Sequence, residues 1–464
     1  MSKSRKLLND CFLHDKDRLR HDDVLALVQK RIGTIVGSET LPLAEANGRI
    51  LAEPVVAPRN VPLSDNAAVD GYAFRHADFE DVGGWFEVAD RVAAGHARAT
   101  AMPKQTAARI FTGAAMPAGV DTIAMQEDCE PHIQHDRPYV AVPPGLKPGA
   151  NCRKSGEDVL EGTTVLVPGE RLRPQDIAAI ASLGVSQVVV FEKLKVALIS
   201  TGDELLRPEV GTVPQPGQVF DSNSFMLKGL LETVPVDVTD FGVLADDAEL
   251  IRDTLSDAAA TFDIILTSGG ASRGDEDHVI AALDELGQRH LWQLAIKPGR
   301  PMTMGQIGDC VFVGLPGNPV AAFVCFLLYV RQIILRLQGA TWQLPVRYPV
   351  AANFGIDKKK PDRREFLRGI LGQTQTGTLN ATKFDRDGSG LITGLREADG
   401  LIEIDETGAF VPLPNSRIAC LRWSRAQVDR YMSRRCRFHN AWLRAPVRAV
   451  FSFYVISQIQ EQGQ

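Results

Sequence analysis

Two loops carry the residues best suited to chemistry in this chain: LAIKPGRP at 294–301 and, after a short apolar run, GLPGNP at 314–319. Lys297 and Arg300 stand among Pro298, Gly299 and Pro301, and Pro316, Gly317 and Asn318 form the second turn. Fixed cations beside exposed backbone N–H groups suit phosphate or another oxyanion. Upstream, FDIILT at 262–267 reads as a buried strand that empties into Ser268, Gly269, Gly270, Ala271, Ser272, Arg273, Gly274, Asp275, Glu276 and Asp277. Glycines between a parallel strand and a helix make an anion cradle. Three acids beside it would repel phosphate unless a divalent cation lay between, which points to Mg²⁺ shared with substrate oxygens. The same acids would also serve as a solvated first turn of a helix, and the spacing leaves both readings open.

Four further constellations have the residue types of a site. SDNAAVDGYA at 64–73 offers Asp65 and Asp70, acids that equally suit Asx-turn hydrogen bonds. In RIFTGA, Thr112 and Gly113 place a hydroxyl and a free N–H where a strand would end. NCRKSGED at 151–158 sets Arg153 and Lys154 against Glu157 and Asp158, a cluster that surface ion pairing also explains. Glu204, in STGDE, follows a strand beginning at Val196, on the edge where open α/β sheets bind ligands.

Several elements must position these groups. A chain of 464 residues exceeds one ordinary core and suggests roughly three domains. The net charge of −6 argues against a general nucleic-acid binder, and the seven scattered cysteines contain no C-x-x-C pair, so neither a disulfide framework nor a zinc site is expected. The N-terminus has no apolar core of signal length, and no run is long enough to span a bilayer, which makes a cytoplasmic protein the expectation. Helical spacing at 22–33, continuing through LPLAEANGRIL at 41–51, predicts a helical opening element. Between about 55 and 151 short apolar runs broken by Gly, Pro and Asp predict a β-rich insert. Strands at 196–200, 236–243, 262–267 and 311–314 alternate with helices at 224–232, 248–259, 278–286 and 319–337, the pattern of a doubly wound α/β domain. Short strands at 348–354, 367–371, 391–395 and 401–404 predict a C-terminal β domain. From 417 to 448 there are nine arginines and one acid, Asp429, a basic tail to which no role is assigned.

Nine motifs in order, DNAAVDGYA, RIFTGAAMP, NCRKSGED, ISTGDEL, DSNS, TSGGASRGDED, LAIKPGRP, GLPGNPVA and RREFLRG, resemble the molybdopterin molybdenumtransferase family, the MoeA type that also includes the E domain of gephyrin. The resemblance covers roughly residues 20–410. It implies an elongated multidomain α/β plus β chain: a helical or linker domain at 20–54 and 156–190, the β-rich insert at 55–155, a MogA-like α/β domain at 191–340 that binds molybdopterin, a C-terminal β domain at 345–415, and the tail at 416–464. It implies an enzyme that takes molybdate and adenylylated molybdopterin, releases AMP with a divalent cation, Mg²⁺, and yields molybdenum cofactor. It also implies a homodimer whose cleft lies between the α/β domain of one subunit and the insert of the other, supplied by a molybdopterin adenylyltransferase. Carried over motif by motif, Lys297, Arg300 and Arg368 would hold phosphates and the incoming oxyanion, with Asp65 and Asp158 as proton handlers or pterin contacts. Glu204, Asp246 and Asp277 would hold Mg²⁺. Thr112, Arg153, Ser268, Gly269, Gly270, Pro316, Gly317, Asn318 and Ser389 would contact substrate.

The chain departs from the family pattern at Arg300, where lysine is usual, at Ala321 and Val69, and in its arginine-rich extension. Arg300 keeps the charge and changes the reach. Two other readings stand beside this one. An adenylyltransferase shares the SGG and LPGNP turns but would have the length of the central domain alone. A scaffold of the same fold would tolerate loss of the acids and cations that are all present here.

Overall fold

The computed structural model describes residues 18–96, 100–269, 277–356, 359–375, 377–406 and 417–422. The central sheet has six strands in the order Val236–Leu244, Leu194–Thr201, Ile264–Ser268, Cys310–Leu315, Pro301–Ile307, Gln288–Gln293. The first four are parallel, Pro301–Ile307 runs antiparallel to them, and Gln288–Gln293 pairs antiparallel with Pro301–Ile307. Alternate side chains of the parallel strands enter two cores. Leu198, Ile264 and Val313 pack with helices His21–Arg31, Ser222–Leu231 and Pro319–Leu337, whereas Ala197, Ile265 and Phe312 pack with Ala248–Thr261 and His278–Leu286. Helices on both faces make this the expected doubly wound domain. The two inner strands Ile264–Ser268 and Cys310–Leu315 read in sequence as apolar runs because both faces are covered, whereas the edge strand Val236–Leu244 carries Asp237, Thr239 and Asp240. Among the described residues, Pro319–Leu337 alone is long and apolar enough to cross a membrane. Most of it is buried in the first core, and a π-helical turn interrupts it at Phe326–Val330.

The insert is a six-stranded sheet ordered Thr122–Met125, Gly71–Phe74, Thr106–Ile110, Trp85–Val92, Arg137–Ala141, Glu130–Gln134. A separate small core gathers Ala46, Leu51 and Val55 with Leu172, Ile180 and Val190, joining the chain before the insert to the chain after it. In the C-terminal domain Arg364–Gln373 pairs with both Leu379–Lys383 and Gly400–Ile404, so five strands close on themselves, and Ile296–Lys297 adds to the outside of Arg364–Gln373.

Three expectations differ from what is observed. Residues 41–51 do not continue the opening helix: Ser38–Pro42 is a strand, Leu43–Glu45 one 3₁₀ turn, and Gly48 has φ of +82°. Pro42 lacks the N–H a helix needs, and the apolar residues face the small core instead. Residues 391–395 are not a strand, because Thr393–Glu397 is a short helix packed by Leu395 against Val320 and Phe323. Finally, Arg417–Arg422, the first part of the arginine-rich stretch, is a strand hydrogen-bonded between Arg347–Ala352 and Gly400–Ile404.

Candidate active site

The loop at 297–301 is pinned from two sides. Ile296 and Lys297 pair in parallel with Arg364 and Glu365 of the C-terminal sheet. Gly299, at φ +103°, lies so close to the Pro319–Leu337 helix that a Cβ would sit 2.7 Å from Cys325 Sγ, a place only glycine can occupy. The loop at 388–391 is tied to the same helix, whose Val320 N–H donates to the Ser389 carbonyl at 2.9 Å. Between these loops lies a cavity of about 410 Å³, walled by the α/β domain and the C-terminal domain. It brings together Lys297, Arg300, Pro316, Asn318, Arg368 and Ser389 of the predicted residues.

Charge is the cavity's main property. Lys297, Arg300, Arg368 and Lys383 line it against one carboxylate, Asp387. Arg368 is only 7 % exposed, and burial pushes its pKa down from the usual arginine range. Its Nη1 donates to the Leu391 carbonyl at 2.8 Å and its Nη2 to the Arg386 carbonyl at 2.6 Å, while the guanidinium stacks on Phe384 at 4.7 Å. Two of its five N–H groups are used this way, leaving others for a ligand, and no carboxylate among the described residues pairs with it. Arg300 Nη2 donates to the neutral Gln293 Oε1, at 3.1 Å, and Arg300 forms no ion pair among the described residues. Lys297 Nζ stands 3.7 Å from Glu365 Oε2. A buried guanidinium without a carboxylate is costly, and a bound oxyanion is the natural counter-charge.

A second group lies at the carboxyl edge of the parallel strands. Asn223 Nδ2 donates to Ser268 Oγ at 2.9 Å and to the Gly317 carbonyl at 2.7 Å, joining the two predicted loops. Gly269 follows with φ +101°, and its N–H donates to the Leu315 carbonyl. Ser200 Oγ and Asn223 Oδ1 are buried here and have no hydrogen-bond partner among the described residues. Gly270, Asp275 and Glu276 lie outside the described residues. Glu204 and Asp246 follow the adjacent strands in which Thr201 stands beside Leu244; both are exposed and neither forms an ion pair among the described residues. Asp277 caps the His278–Leu286 helix, its Oδ1 accepting the Ile280 N–H at 3.2 Å. No three acids, histidines or cysteines among the described residues form a metal-holding group. Glu204, Asp246 and Asp277 are oxygen donors, the ligand type a hard divalent cation takes.

The third group is on the insert. Segments 61–70, 111–116 and 151–159 are knitted by backbone hydrogen bonds, among them Met116 N–H to Asp65 O and Asp158 N–H to Val61 O. Arg153 pairs in register with Asn66. Asp65 accepts from Lys154 Nζ at 2.7 Å and from the Ser155 N–H at 2.8 Å, contacts that hold its carboxyl below the usual range. Asp70 Oδ1 accepts from both the N–H and the hydroxyl of Thr112, with the same consequence for its pKa. Arg153, Asp158 and Thr112 are exposed at this patch. None of the edge or insert residues lines the cavity.

Sequence reasoning missed Lys383, Phe384 and Asp387, since a KFDRD run reads as ordinary surface. Asn223, in the DSNS motif, was missed as well; there the Ser224 N–H also caps the helix on Asp221.

Residues 19–184 match the MoeA N-terminal region (domains I and II), residues 197–336 a probable molybdopterin-binding domain, and residues 357–412 the MoeA C-terminal region (domain IV). The molybdopterin molybdenumtransferase of Haemophilus influenzae is 37 % identical over 370 residues, covering 80 % of this chain and 90 % of that protein. The protein of the same name from Bacillus subtilis is 31 % identical over 373 residues, covering 79 % and 85 %. The crystal structure of a molybdopterin biosynthesis moeA protein from Pyrococcus horikoshii aligns over 88 % of this chain and all of that one, with a TM-score of 0.72 at 29 % identity.

Proposed function

The chain belongs to the MoeA-type molybdopterin molybdenumtransferase family, and from that premise we propose that it inserts molybdenum from molybdate into adenylylated molybdopterin with release of AMP. It is a transferase of molybdenum cofactor biosynthesis. The observation that supports the finer reading is the cavity in which four cations face one carboxylate. A tetrahedral dianion fits there: Arg368 presents its remaining N–H donors, and Lys297, Arg300 and Lys383 neutralise charge. The Ser268–Gly269 and Pro316–Asn318 turns, which Asn223 joins, would take the pterin phosphate, with the Ser200 hydroxyl as a donor toward it.

Glu204 and Asp246, with Asp277, would hold Mg²⁺ through shared substrate oxygens. When bound, that ion supplies charge neutralisation to the diphosphate. The chain's own residues would align a molybdate oxygen on the molybdopterin phosphorus: that P–O bond forms as the P–O bond to AMP breaks, and AMP leaves with the electron pair and negative charge that the cations stabilise. The two pterin sulfurs then displace two oxygens from molybdenum, one staying on the phosphate and one leaving as water with the thiol protons. Asp65, Thr112, Arg153 and Asp158 stand on a separate patch, which a homodimer would bring to the partner subunit's cavity. The protein is expected to work in the cytoplasm, receiving its substrate from a molybdopterin adenylyltransferase. The cavity assignment is tested by calorimetric titration of molybdate into the wild type and an Arg300→Ala/Lys383→Ala variant. Binding lost or strongly weakened in the variant is expected, and undiminished affinity overturns the assignment.

A further inference from the structure

One of the four cavity cations, Lys297, sits on a flexible side chain beside a buried carboxylate. Its side chain is 43 % exposed, it has four rotatable bonds, and its one charged neighbour among the described residues is Glu365. Glu365 is unusual in the opposite sense: a carboxylate only 5 % exposed, on a strand inside a closed sheet, and absent from the cavity lining. Two features hold it there. The parallel register places Lys297 directly beside Glu365. On the far side Arg363 donates through Nε and Nη2 to Glu365 Oε1, at 3.0 and 2.9 Å. One carboxylate oxygen is thus fixed by a forked guanidinium contact, and the other, Oε2, faces Lys297 Nζ at 3.7 Å.

We infer that Glu365 is a positioning residue for the cavity: clamped by Arg363, it aims the Lys297 ammonium at the bound oxyanion. The inference rests on reading the cavity as the molybdate site. The chemistry supports an aiming role over simple charge balance for a definite reason. A buried carboxylate near an anion site repels the anion, so as a bare charge Glu365 weakens binding. Its presence makes sense where the order it imposes on a flexible lysine outweighs that repulsion, because the rotamer freedom a lysine otherwise loses on binding is lost in advance. The two effects have opposite signs, which makes the inference testable by direction.

The experiment is steady-state AMP release with molybdate varied, on the wild type, Glu365→Gln, Lys297→Met and the double variant. Glu365→Gln keeps shape and removes the charge that aims Lys297. It should raise the KM for molybdate by roughly threefold, less than loss of the ammonium itself, with kcat and the KM for adenylylated molybdopterin within about twofold of wild type. On the Lys297→Met background the same change should no longer raise that KM, and with only the repulsion removed it should leave it unchanged or lower it, since there is no ammonium left to aim. A KM for molybdate that is unchanged or lower in Glu365→Gln overturns the inference, as does an equal loss in both backgrounds. If Lys297→Met leaves that KM unchanged, the cavity reading itself falls. If Glu365→Gln gives no cooperative melt, Glu365→Asp takes its place. It keeps the charge and withdraws the carboxylate from Lys297, and the same loss confined to KM is expected; a wild-type KM there overturns the inference.

Discussion

Arg368→Lys separates what a positive charge contributes in the cavity from what the guanidinium contributes. Arg368 reaches two carbonyls at once, those of Leu391 and Arg386, at 2.8 and 2.6 Å, from a position only 7 % exposed. A single ammonium nitrogen cannot span both, so one buried carbonyl loses its partner, at a cost of about 1–3 kcal/mol. Stacking on Phe384, at 4.7 Å, is weakened as well, by about 0.5–1 kcal/mol. If lysine bends to the carbonyls it no longer faces the cavity, and if it faces the cavity the 386–391 loop loosens. Either way the KM for molybdate should rise by roughly tenfold, because the fork that meets an oxyanion in two places is gone. The assay pairs a chemical-denaturation curve with molybdate-dependent turnover. Arg368→Lys with wild-type stability and a wild-type KM would refute the view that the fork serves the loop and the anion together.

Three further outcomes follow from the same geometry. Lys297→Ala should leave stability within about 1 kcal/mol, because the buried Glu365 keeps its Arg363 contacts and Lys297 itself is half-exposed, yet raise the KM for molybdate by about tenfold; an unchanged KM counts against the site. Asp277→Ala should stop AMP release and lower stability by about 1 kcal/mol through the lost helix cap, whereas Asp277→Asn should keep the cap and still lose turnover; an active Asn variant shows that the charge is not needed. Burial and the neighbouring Arg364 push His21, whose Nδ1 is 2.8 Å from the Tyr329 hydroxyl, down to about 4 from 6.5. The unfolded chain therefore binds the extra proton first: this stabilisation is complete above pH 6.5, is lost as the pH falls toward 4, and diminishes by about 2 kcal/mol between pH 7 and pH 5. Denaturation curves of wild type and His21→Gln at those two pH values test it, and an equal pH dependence in both rules His21 out.

Much of this was readable from the sequence. The inner parallel strands announce themselves as apolar runs bounded by glycine, and the predicted His278–Leu286 helix is observed with those limits. What misled was context beyond local pattern. The 41–51 stretch has apolar residues at helical spacing, but they serve a two-segment core closed by residues more than a hundred positions away. Leu395 reads as a strand residue until its contact with the Pro319–Leu337 helix is seen. The cavity illustrates the same limit. Lys297, Arg300 and Arg368 stand out because proline, glycine and motif order frame them, whereas Lys383 and Asp387 lie in a run with no such frame and become site residues only when the C-terminal sheet closes against the α/β domain. Glu365 is similar: in RREFLRG it is one charge among several, and its role depends on a register with Lys297 that no local pattern encodes.

The central claim is metal insertion at the cationic cavity. Its most direct test is AMP release by the purified protein given adenylylated molybdopterin and Mg²⁺, with and without molybdate. AMP formation that depends on molybdate is the predicted result. AMP release indifferent to molybdate, or consumption of ATP and molybdopterin to make the adenylylated compound, would contradict it.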